Sequence, residues 1–259
     1  MDRLRVSLVQ QATLWHDPEG NRGLYGEAIA PLAGVSDLVI LPETFTSGFS
    51  NEAAASAETM EGPSVAWMRE QARALGAALA GSLAIRDAGK VYNRLLFATP
   101  DGSIAWYDKR HLFRMAGEQE RYAGGQRRVV VSWRGWRILL QVCYDLRFPV
   151  FMRNRGDYDL ILVVANWPSA RREHWRVLLR ARAIENLACL AAVNRVGRDG
   201  NGLEYAGDSA LIDAQGRTLL ELGPEPAVAT LTLDPEPLRA WRERFPADRD
   251  ADRFALLPE

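Results

Sequence analysis

Three side chains whose chemistry could combine in covalent hydrolysis each follow a strand-like segment: Glu43, Lys109 and Cys143. Cys143 lies in QVCYDLRFP, where an apolar run gives way to a polar one, so its thiol can be partly exposed near backbone N–H groups. A thiolate beside Lys109 would have a depressed pKa. Glu43, in LPETF, ends an apolar run, and a carboxylate at such a position could serve as a general base.

Each of these residues also has an explanation without chemistry. Free cysteines are usually buried and inert, a carboxylate can cap a helix or pair with a cation, and a lysine is usually solvated. Cys189, in the apolar segment NLACLAAV, is expected to be such a core thiol. His111 lies close to Lys109 and could form a Cys–His dyad with Cys143. We set this dyad aside because papain-like enzymes place the cysteine at the start of a helix with the histidine far downstream.

The segments that precede the three residues have the patterns of strands. Ser36–Leu41 is a short continuous apolar run, which is typical of a strand buried on both faces, and Glu43 follows it at an edge where ligands bind in α/β sheets. Ser103–Tyr107 precedes Lys109, and Arg137–Val142 carries Cys143 at its end. The sequence therefore predicts that strand ends and turns hold the chemical groups.

The rest of the chain alternates strand and helix patterns. Period-two or continuous apolar segments predict further strands at Leu4–Val9, Ala78–Ile85, Tyr92–Ala98, Val129–Trp133, Leu160–Ala165, Leu190–Val196, Asp208–Ala214 and Ala227–Leu233. Helical spacing predicts helices at Asn21–Leu32, Ser64–Leu75 and Glu173–Ala188. We expect the last two strands to complete the sheets around a turn at Gln215-Gly216. Helices alternating with buried strands and hairpins indicate a layered α/β domain with a mixed sheet, and no linker divides residues 1–259, so we expect a single domain.

Composition excludes several classes of protein. The net charge is −1, from 32 Lys+Arg and 33 Asp+Glu, so nothing draws the chain as a whole toward nucleic acid or an anionic membrane. No apolar run approaches the length of a membrane span, and the N-terminus has no secretory h-region. Two cysteines make no disulfide framework, and no Cys/His spacing resembles a zinc site. We expect a cytoplasmic protein without a structural metal.

The three motifs in order, LPETF, YDKRHLF and QVCYDLRFP, resemble the signature blocks of the nitrilase superfamily, the carbon–nitrogen hydrolases. Glu43 and Lys109 are separated by 66 positions, and Lys109 and Cys143 by 34, which is typical of that family. Further similarity, in segments such as GSLAI, ANWP, RAIEN and GDSALID, covers nearly the whole chain. The resemblance implies a four-layer α-β-β-α sandwich. It also implies a homodimer or higher homo-oligomer, with the Glu173–Ala188 helix and the C-terminal segment as contacts.

The resemblance also implies a mechanism without a cofactor. Cys143 attacks an amide carbonyl, and Glu43 takes the thiol proton and later activates water. Lys109 and the backbone N–H of Tyr144 stabilise the oxyanion. The product of the first half-reaction is a thioester, which water hydrolyses.

Many members of the family carry a second glutamate after the lysine block. Glu118, in MAGEQERYAGG, has the expected spacing to Gly125, and Glu120 is the alternative.

Within the family, the sequence most resembles the omega-amidase branch, which cleaves 2-oxoglutaramate and similar monoamides of dicarboxylic acids. Such a substrate needs a cation at the end of the pocket away from the thiol. Arg147, four residues after the nucleophile, could bind that carboxylate bidentately, or could instead only brace its loop. The expected pocket walls are Phe45, Phe49, Asn166 and Trp167.

Three alternatives stay open at this point. A nitrilase would use the same three residues, but true nitrilases usually have Trp directly after the nucleophile, where this chain has Tyr144. An N-carbamoyl amino acid hydrolase would also bind a substrate carboxylate. A non-enzymatic interaction protein on this fold would usually have lost one of the three residues.

Overall fold

Two six-stranded sheets form the centre of the computed structural model, which describes residues 1–256. The first sheet has the strand order β14 (Ala227–Leu233), β1 (Leu4–Gln10), β2 (Leu38–Ile40), β3 (Ala78–Asp87), β4 (Lys90–Ala98) and β5 (Ile104–Asp108). β2 is parallel to both of its neighbours, and the other pairings are antiparallel. The sheet is therefore mixed, with its parallel centre made by the strand that precedes Glu43.

The second sheet repeats this plan. Its strand order is β13 (Thr218–Glu221), β12 (Ala210–Ile212), β9 (Cys189–Asn194), β8 (Leu160–Ala165), β7 (Trp136–Val142) and β6 (Val130–Trp133). Here β8 is the strand that runs parallel to both neighbours. A separate hairpin pairs β10 (Val196–Arg198) with β11 (Glu204–Ala206). Ends of β7 and β8 thus deliver Cys143 and Asn166 side by side.

Five helices within residues 1–256 accompany the sheets, and three of them cover outer faces. The five helices are α1 (Pro18–Ile29), α2 (Pro63–Leu75), α3 (Pro149–Met152), α4 (Arg172–Asn186) and α5 (Pro235–Arg244). Side chains of α1 and α2 pack on the outer face of the first sheet, and those of α4 pack on the outer face of the second. The inner faces of the two sheets share one apolar core. The layers are therefore α-β-β-α, and the expected four-layer sandwich is confirmed.

The central strands are buried on both faces, as their continuous apolar runs predicted. In β2, Leu38 and Ile40 face the second sheet, whereas Val39 packs under the helices. The same alternation places Leu162 between the sheets and Val163 under α4. Because side chains alternate across a strand, a strand with a layer on either side needs apolar residues at every position.

Several sequence-based boundaries were wrong. α1 begins at Pro18 rather than Asn21, because Asp17 accepts a hydrogen bond from the N–H of Gly20 at 2.9 Å and a proline suits the first helical position. The expected strand Asp208–Ala214 is shorter and pairs with β13 beyond the turn, while β14 lies in the other sheet, against β1. β13 was missed because its residues are mostly exposed and have no apolar alternation.

The short hairpin of β10 and β11 and the terminal helix α5 were also missed. α5 buries only Pro235 and Leu238, too few apolar positions for a clear helical period. No helix within residues 1–256 is both long enough and apolar enough to cross a bilayer.

Candidate active site

Glu43 lies just beyond β2 and is fully buried. Its Oε1 accepts hydrogen bonds from Asn93 Nδ2 at 2.7 Å and from Lys109 Nζ at 3.1 Å. Its Oε2 accepts the backbone N–H of Asn166, from the second sheet, at 2.7 Å. Donors from one strand and from the ends of two others therefore satisfy the carboxylate and fix its direction, as a buried charge requires.

Lys109 follows β5 and is also buried. Its Nζ lies 3.1 Å from Glu43 and 2.9 Å from Glu118, and 5.1 Å from the centre of the Phe49 ring. Burial favours the neutral amine, but the charges of Glu118 and Glu43 outweigh it and hold the pKa of Lys109 above its usual value. The ammonium is thus charged at neutral pH.

The backbone around Lys109 is held by a close contact with Gly125. The N–H of Gly125 donates to the Lys109 carbonyl at 2.9 Å. A Cβ at Gly125 would lie 2.1 Å from the carbonyl oxygen of Asp108, so only glycine permits this approach.

Glu118 holds the other side of the ammonium. Both of its carboxylate oxygens lie within 3.0 Å of Lys109 Nζ, and Oε2 also accepts the N–H of Phe113 at 2.6 Å. Burial raises the pKa of Glu118, Lys109 opposes that rise, and Glu43 adds to it. Glu120 is exposed, so the structure places Glu118, rather than Glu120, at the site.

Cys143 opens a short 3-10 helix, Cys143–Arg147, with a backbone φ of +44°. This left-handed conformation is unfavourable for a non-glycine residue and turns the chain sharply at the end of β7. Burial, and then the charge of Glu43, raises the pKa of the Cys143 thiol well above its usual value, with Lys109 opposing. The expectation of a depressed pKa was therefore wrong. The motifs indicated a lysine near the thiol, but not that the thiol would be buried or that the effect of Glu43 would exceed that of Lys109.

Tyr144, the second residue of that 3-10 helix, lines the cavity into which Cys143 opens. The first N–H groups of a helix have no intrahelical acceptor, so the N–H of Tyr144 is available to a bound oxygen. Asp145 follows and is fully buried. It accepts hydrogen bonds from the N–H of Val142 at 3.1 Å and from Tyr107 Oη at 2.8 Å. Asp145 thereby ties the cysteine turn to β5.

His111 contacts Asp145 and helps to hold the cysteine turn, rather than contacting the Cys143 thiol. Its Nδ1 lies 2.7 Å from Asp145 Oδ1, and its ring stacks on Phe148 with centroids 3.9 Å apart. His111 does not line the cavity around Cys143. The geometry thus gives the Cys–His dyad no support.

The cavity has walls of aromatic and apolar side chains. The cavity has a volume of about 70 Å³ and is partly open to solvent. Of the four expected walls, Phe49, Asn166 and Trp167 line it. Phe45 does not: it is fully buried in the first sheet's outer core, where it packs against Tyr25 and Trp67. The expectation that Phe45 lines the pocket was wrong, because the side chains of Phe45 and Phe49 point in different directions from the turn after Glu43.

Arg147 also lines the cavity. Its Cζ lies 4.7 Å from the centre of the Trp167 ring, and its Nη2 donates to His174 Nδ1 at 3.1 Å. Burial lowers the pKa of Arg147, and the charge of Arg171 lowers it further. Within residues 1–256, no acidic side chain pairs with Arg147, and Asp145 binds elsewhere. Asp145 therefore does not hold Arg147 in place, as one of the alternatives had expected.

Sequence reasoning missed several contributors. Asn93 and Asp145 are buried polar residues inside or next to apolar strands, and that placement was the available signal. Phe113, Arg171 and Tyr205 line the cavity from segments distant in the chain, and nothing local marks them. Among residues 1–256, no group of three or more His, Cys, Asp or Glu side chains could hold a metal ion.

Comparison with known proteins identifies the family. The model of the carbon-nitrogen hydrolase family matches residues 5–243. An omega-amidase YafV of Escherichia coli strain K12 is 48% identical over 99% of this chain and 100% of its own length. A 2-oxoglutaramate amidase of Bacillus subtilis is 33% identical over 83% of this chain and 85% of its own.

A solved structure is similar throughout. It is a CN-hydrolase superfamily protein of Xanthomonas campestris with an arsenic adduct in the active site. It superposes with a TM-score of 0.98 at 60% sequence identity, covering 99% of this chain and 100% of the other.

The chain belongs to the carbon–nitrogen hydrolase family. It is an enzyme that hydrolyses carbon–nitrogen bonds in linear amides, and the resemblance to the omega-amidase branch of the nitrilase superfamily is confirmed.

Proposed function

We propose that this protein is an omega-amidase that uses Cys143 as its nucleophile and cleaves small linear amides with a carboxylate at the far end. The observation that carries the proposal is the position of Lys109 Nζ, held between Glu43 at 3.1 Å and Glu118 at 2.9 Å, in a cavity that also contains Cys143. A cation, a base and a nucleophile then face one substrate carbonyl.

In the first half-reaction, the Cys143 sulfur bonds to the amide carbon as its proton passes to Glu43. The carbonyl oxygen becomes an oxyanion and is stabilised by Lys109 and the N–H of Tyr144. One such donor contributes roughly 3–4 kcal/mol to catalysis. The C–N bond then breaks, Glu43 returns the proton to the nitrogen, and ammonia leaves a thioester.

The raised pKa of Cys143 fits this order of events. A thiol that is protonated at rest needs a base in contact range when the substrate arrives, and Glu43 is the carboxylate whose charge acts on it.

In the second half-reaction, Glu43 takes a proton from water, and the resulting hydroxide attacks the thioester carbon. The same two donors stabilise the second oxyanion. The C–S bond breaks, Cys143 regains a proton, and the acid is released. Glu118 positions Lys109 throughout, since both of its oxygens contact the ammonium.

The far end of the substrate is assigned to Arg147. Its guanidinium stacks on Trp167 within the cavity and has no acidic partner among residues 1–256. A partly buried cation of this kind favours an anionic ligand. 2-Oxoglutaramate, hydrolysed to 2-oxoglutarate and ammonia, is the substrate proposed, in agreement with the related 2-oxoglutaramate amidase.

We further propose a cytoplasmic homodimer, or a higher homo-oligomer, that needs no cofactor. The outward face of α4 carries Val177 and Ile184, both about half exposed, which favours contact with a second copy.

A substrate panel tests the proposal. 2-Oxoglutaramate, succinamate, a neutral amide, an N-carbamoyl amino acid and a nitrile are compared by kcat/KM, with ammonia release as the measurement. The proposal expects the two acidic amides to lead. A leading N-carbamoyl amino acid or nitrile would replace it with one of those activities, and a neutral amide that matches the acidic ones would remove the carboxylate from the substrate class.

A further inference from the structure

A second arginine, Arg171, lines the same cavity as Arg147. It comes from a different element, the end of the 3-10 helix Ser169–Arg171 that precedes α4. Its Cζ lies 5.2 Å from the centre of the Phe113 ring, while Arg147 stacks on Trp167. The two guanidinium groups are therefore held on two separate aromatic rings of one pocket.

The pocket provides no negative side chain for either arginine. Among residues 1–256, the lining contains no Asp or Glu, and no salt bridge involves Arg147 or Arg171. The adjacent Arg172 shows the contrast, since it donates to both oxygens of Asp208 at 2.6 and 2.8 Å. Arg172 is held by the protein, whereas Arg171 faces the cavity.

The two cations are close enough to affect each other. Burial lowers the pKa of Arg147, and the charge of Arg171 contributes to the same shift. Two like charges in a partly desolvated pocket repel, and an anion that binds between them relieves the repulsion. Trp167 contacts both arginines. Its ring lies against the guanidinium of Arg147, and its Nε1 donates a hydrogen bond to the Arg171 carbonyl at 2.8 Å.

We propose that Arg171 is a second specificity-determining residue, which binds the distal carboxylate of the substrate together with Arg147. The inference rests on the proposed function and extends it: the substrate end is held by two guanidinium groups, each beside its own aromatic ring, rather than by one. A carboxylate offers enough lone pairs to accept hydrogen bonds from both.

The test uses glutaramate and its neutral methyl-ketone analogue, 5-oxohexanamide. Arg171→Met keeps an unbranched apolar side chain beside Phe113 and removes the charge. We expect it to lower kcat/KM for glutaramate roughly ten- to hundred-fold, the loss of a charge-assisted contact, and to leave the neutral amide within about twofold. Arg171→Lys should recover part of the loss.

Two controls separate this role from a structural one. Arg3→Met removes an equal charge from an exposed site outside the cavity and should leave the ratio of the two substrates unchanged. Alkylation of Cys143 by neutral iodoacetamide reports the condition of the nucleophile, and its rate should be the same in Arg171→Met as in the wild type.

The outcomes are distinct. If Arg171→Met lowers both substrates equally, or slows alkylation, Arg171 braces the loop of Phe113 and the inference is wrong. If the wild type prefers glutaramate and Arg171→Met keeps that preference, the inference fails while the proposed function stands. If the wild type shows no preference for glutaramate, the proposed function itself fails and takes this inference with it.

Discussion

The backbone N–H of Asn166 donates to Glu43 Oε2 at 2.7 Å, and its side-chain amide donates to the Glu43 carbonyl at 2.8 Å. Glu43 follows β2 of the first sheet and Asn166 follows β8 of the second, so the second sheet fixes the direction of the Glu43 carboxylate. The backbone carbonyl oxygen of Asn166 also lies 3.8 Å from Cys143 Sγ. The catalytic geometry proposed here therefore depends on how the two sheets face each other.

The nucleophile is tested by two substitutions. Cys143→Ala should abolish amide hydrolysis and leave a folded protein, since it removes one sulfur from the edge of a cavity. Cys143→Ser should be nearly as inactive, because a serine hydroxyl is a far weaker acid and stays protonated. Turnover and circular dichroism are measured together, and more than a few per cent of wild-type turnover in Cys143→Ala would rule out the covalent mechanism.

The two thiols should react differently. Cys143 opens into the cavity, whereas Cys189 is buried between the sheets, so brief native alkylation followed by peptide mapping should find label on Cys143 alone. The charge of Glu43 contributes to the raised pKa of Cys143. Glu43→Gln should therefore lower turnover by about a hundredfold or more, through loss of the proposed base, yet speed labelling of Cys143 at neutral pH, because a larger fraction of the thiol is then ionised. Slower labelling in Glu43→Gln would contradict this electrostatic account.

Lys109 and His111 differ in what they contact. Lys109→Ala removes the proposed oxyanion donor and leaves Glu43 and Glu118 as two unbalanced buried carboxylates, so turnover should fall by about a thousandfold or more. His111→Ala removes only a partner of Asp145 and should cost far less. Steady-state kinetics of both variants decide the point, and the opposite ranking would revive the Cys–His dyad.

Arg147 should act on acidic substrates selectively. Arg147→Ala should lower kcat/KM for succinamate roughly ten- to hundred-fold, which corresponds to a loss of about 1.5–3 kcal/mol of transition-state stabilisation. The kcat/KM for a neutral amide of similar length should fall much less. Arg147→Lys should recover only part, because an ammonium cannot reproduce the planar fork. Equal losses on both substrates would indicate that Arg147 supports the turn of Tyr144 instead.

Cys189 should make stability fall at alkaline pH. Burial, and then the charge of Asp213, raises the pKa of Cys189 to about 12, whereas an unfolded thiol has a pKa of about 8.5. The folded state therefore keeps a proton that the unfolded state loses. The contribution of Cys189 to stability is complete below the unfolded pKa and falls by about 1.4 kcal/mol per pH unit above it, until the folded pKa is reached.

Denaturant unfolding of the wild type and of Cys189→Ala measures this effect. The difference in their free energies of unfolding should shrink with that slope above about pH 9. A difference that does not change with pH would show that Cys189 titrates normally in the folded protein.

Much of the sandwich could be predicted from the sequence, and so could the three candidate residues that the structure brings together. The apolar run at residues 36–41 predicted a doubly buried strand, since a strand between two layers has no polar face to show. The order of Glu43, Lys109 and Cys143, each after such a segment, identified the family. These signals are local, because strand and helix periods and short motifs are properties of neighbouring residues.

The tertiary structure decided which groups meet. Glu118 contacts Lys109 and Glu120 does not, and Phe49 faces the cavity where Phe45 does not, although each pair is close in sequence. The raised pKa of Cys143 likewise combines burial with the charges of Glu43 and Lys109, which come from two separate strand ends. Such quantities depend on distances between segments far apart in the chain. Side-chain direction at a turn and the electrostatic balance of a buried site are therefore set only when the two sheets pack together.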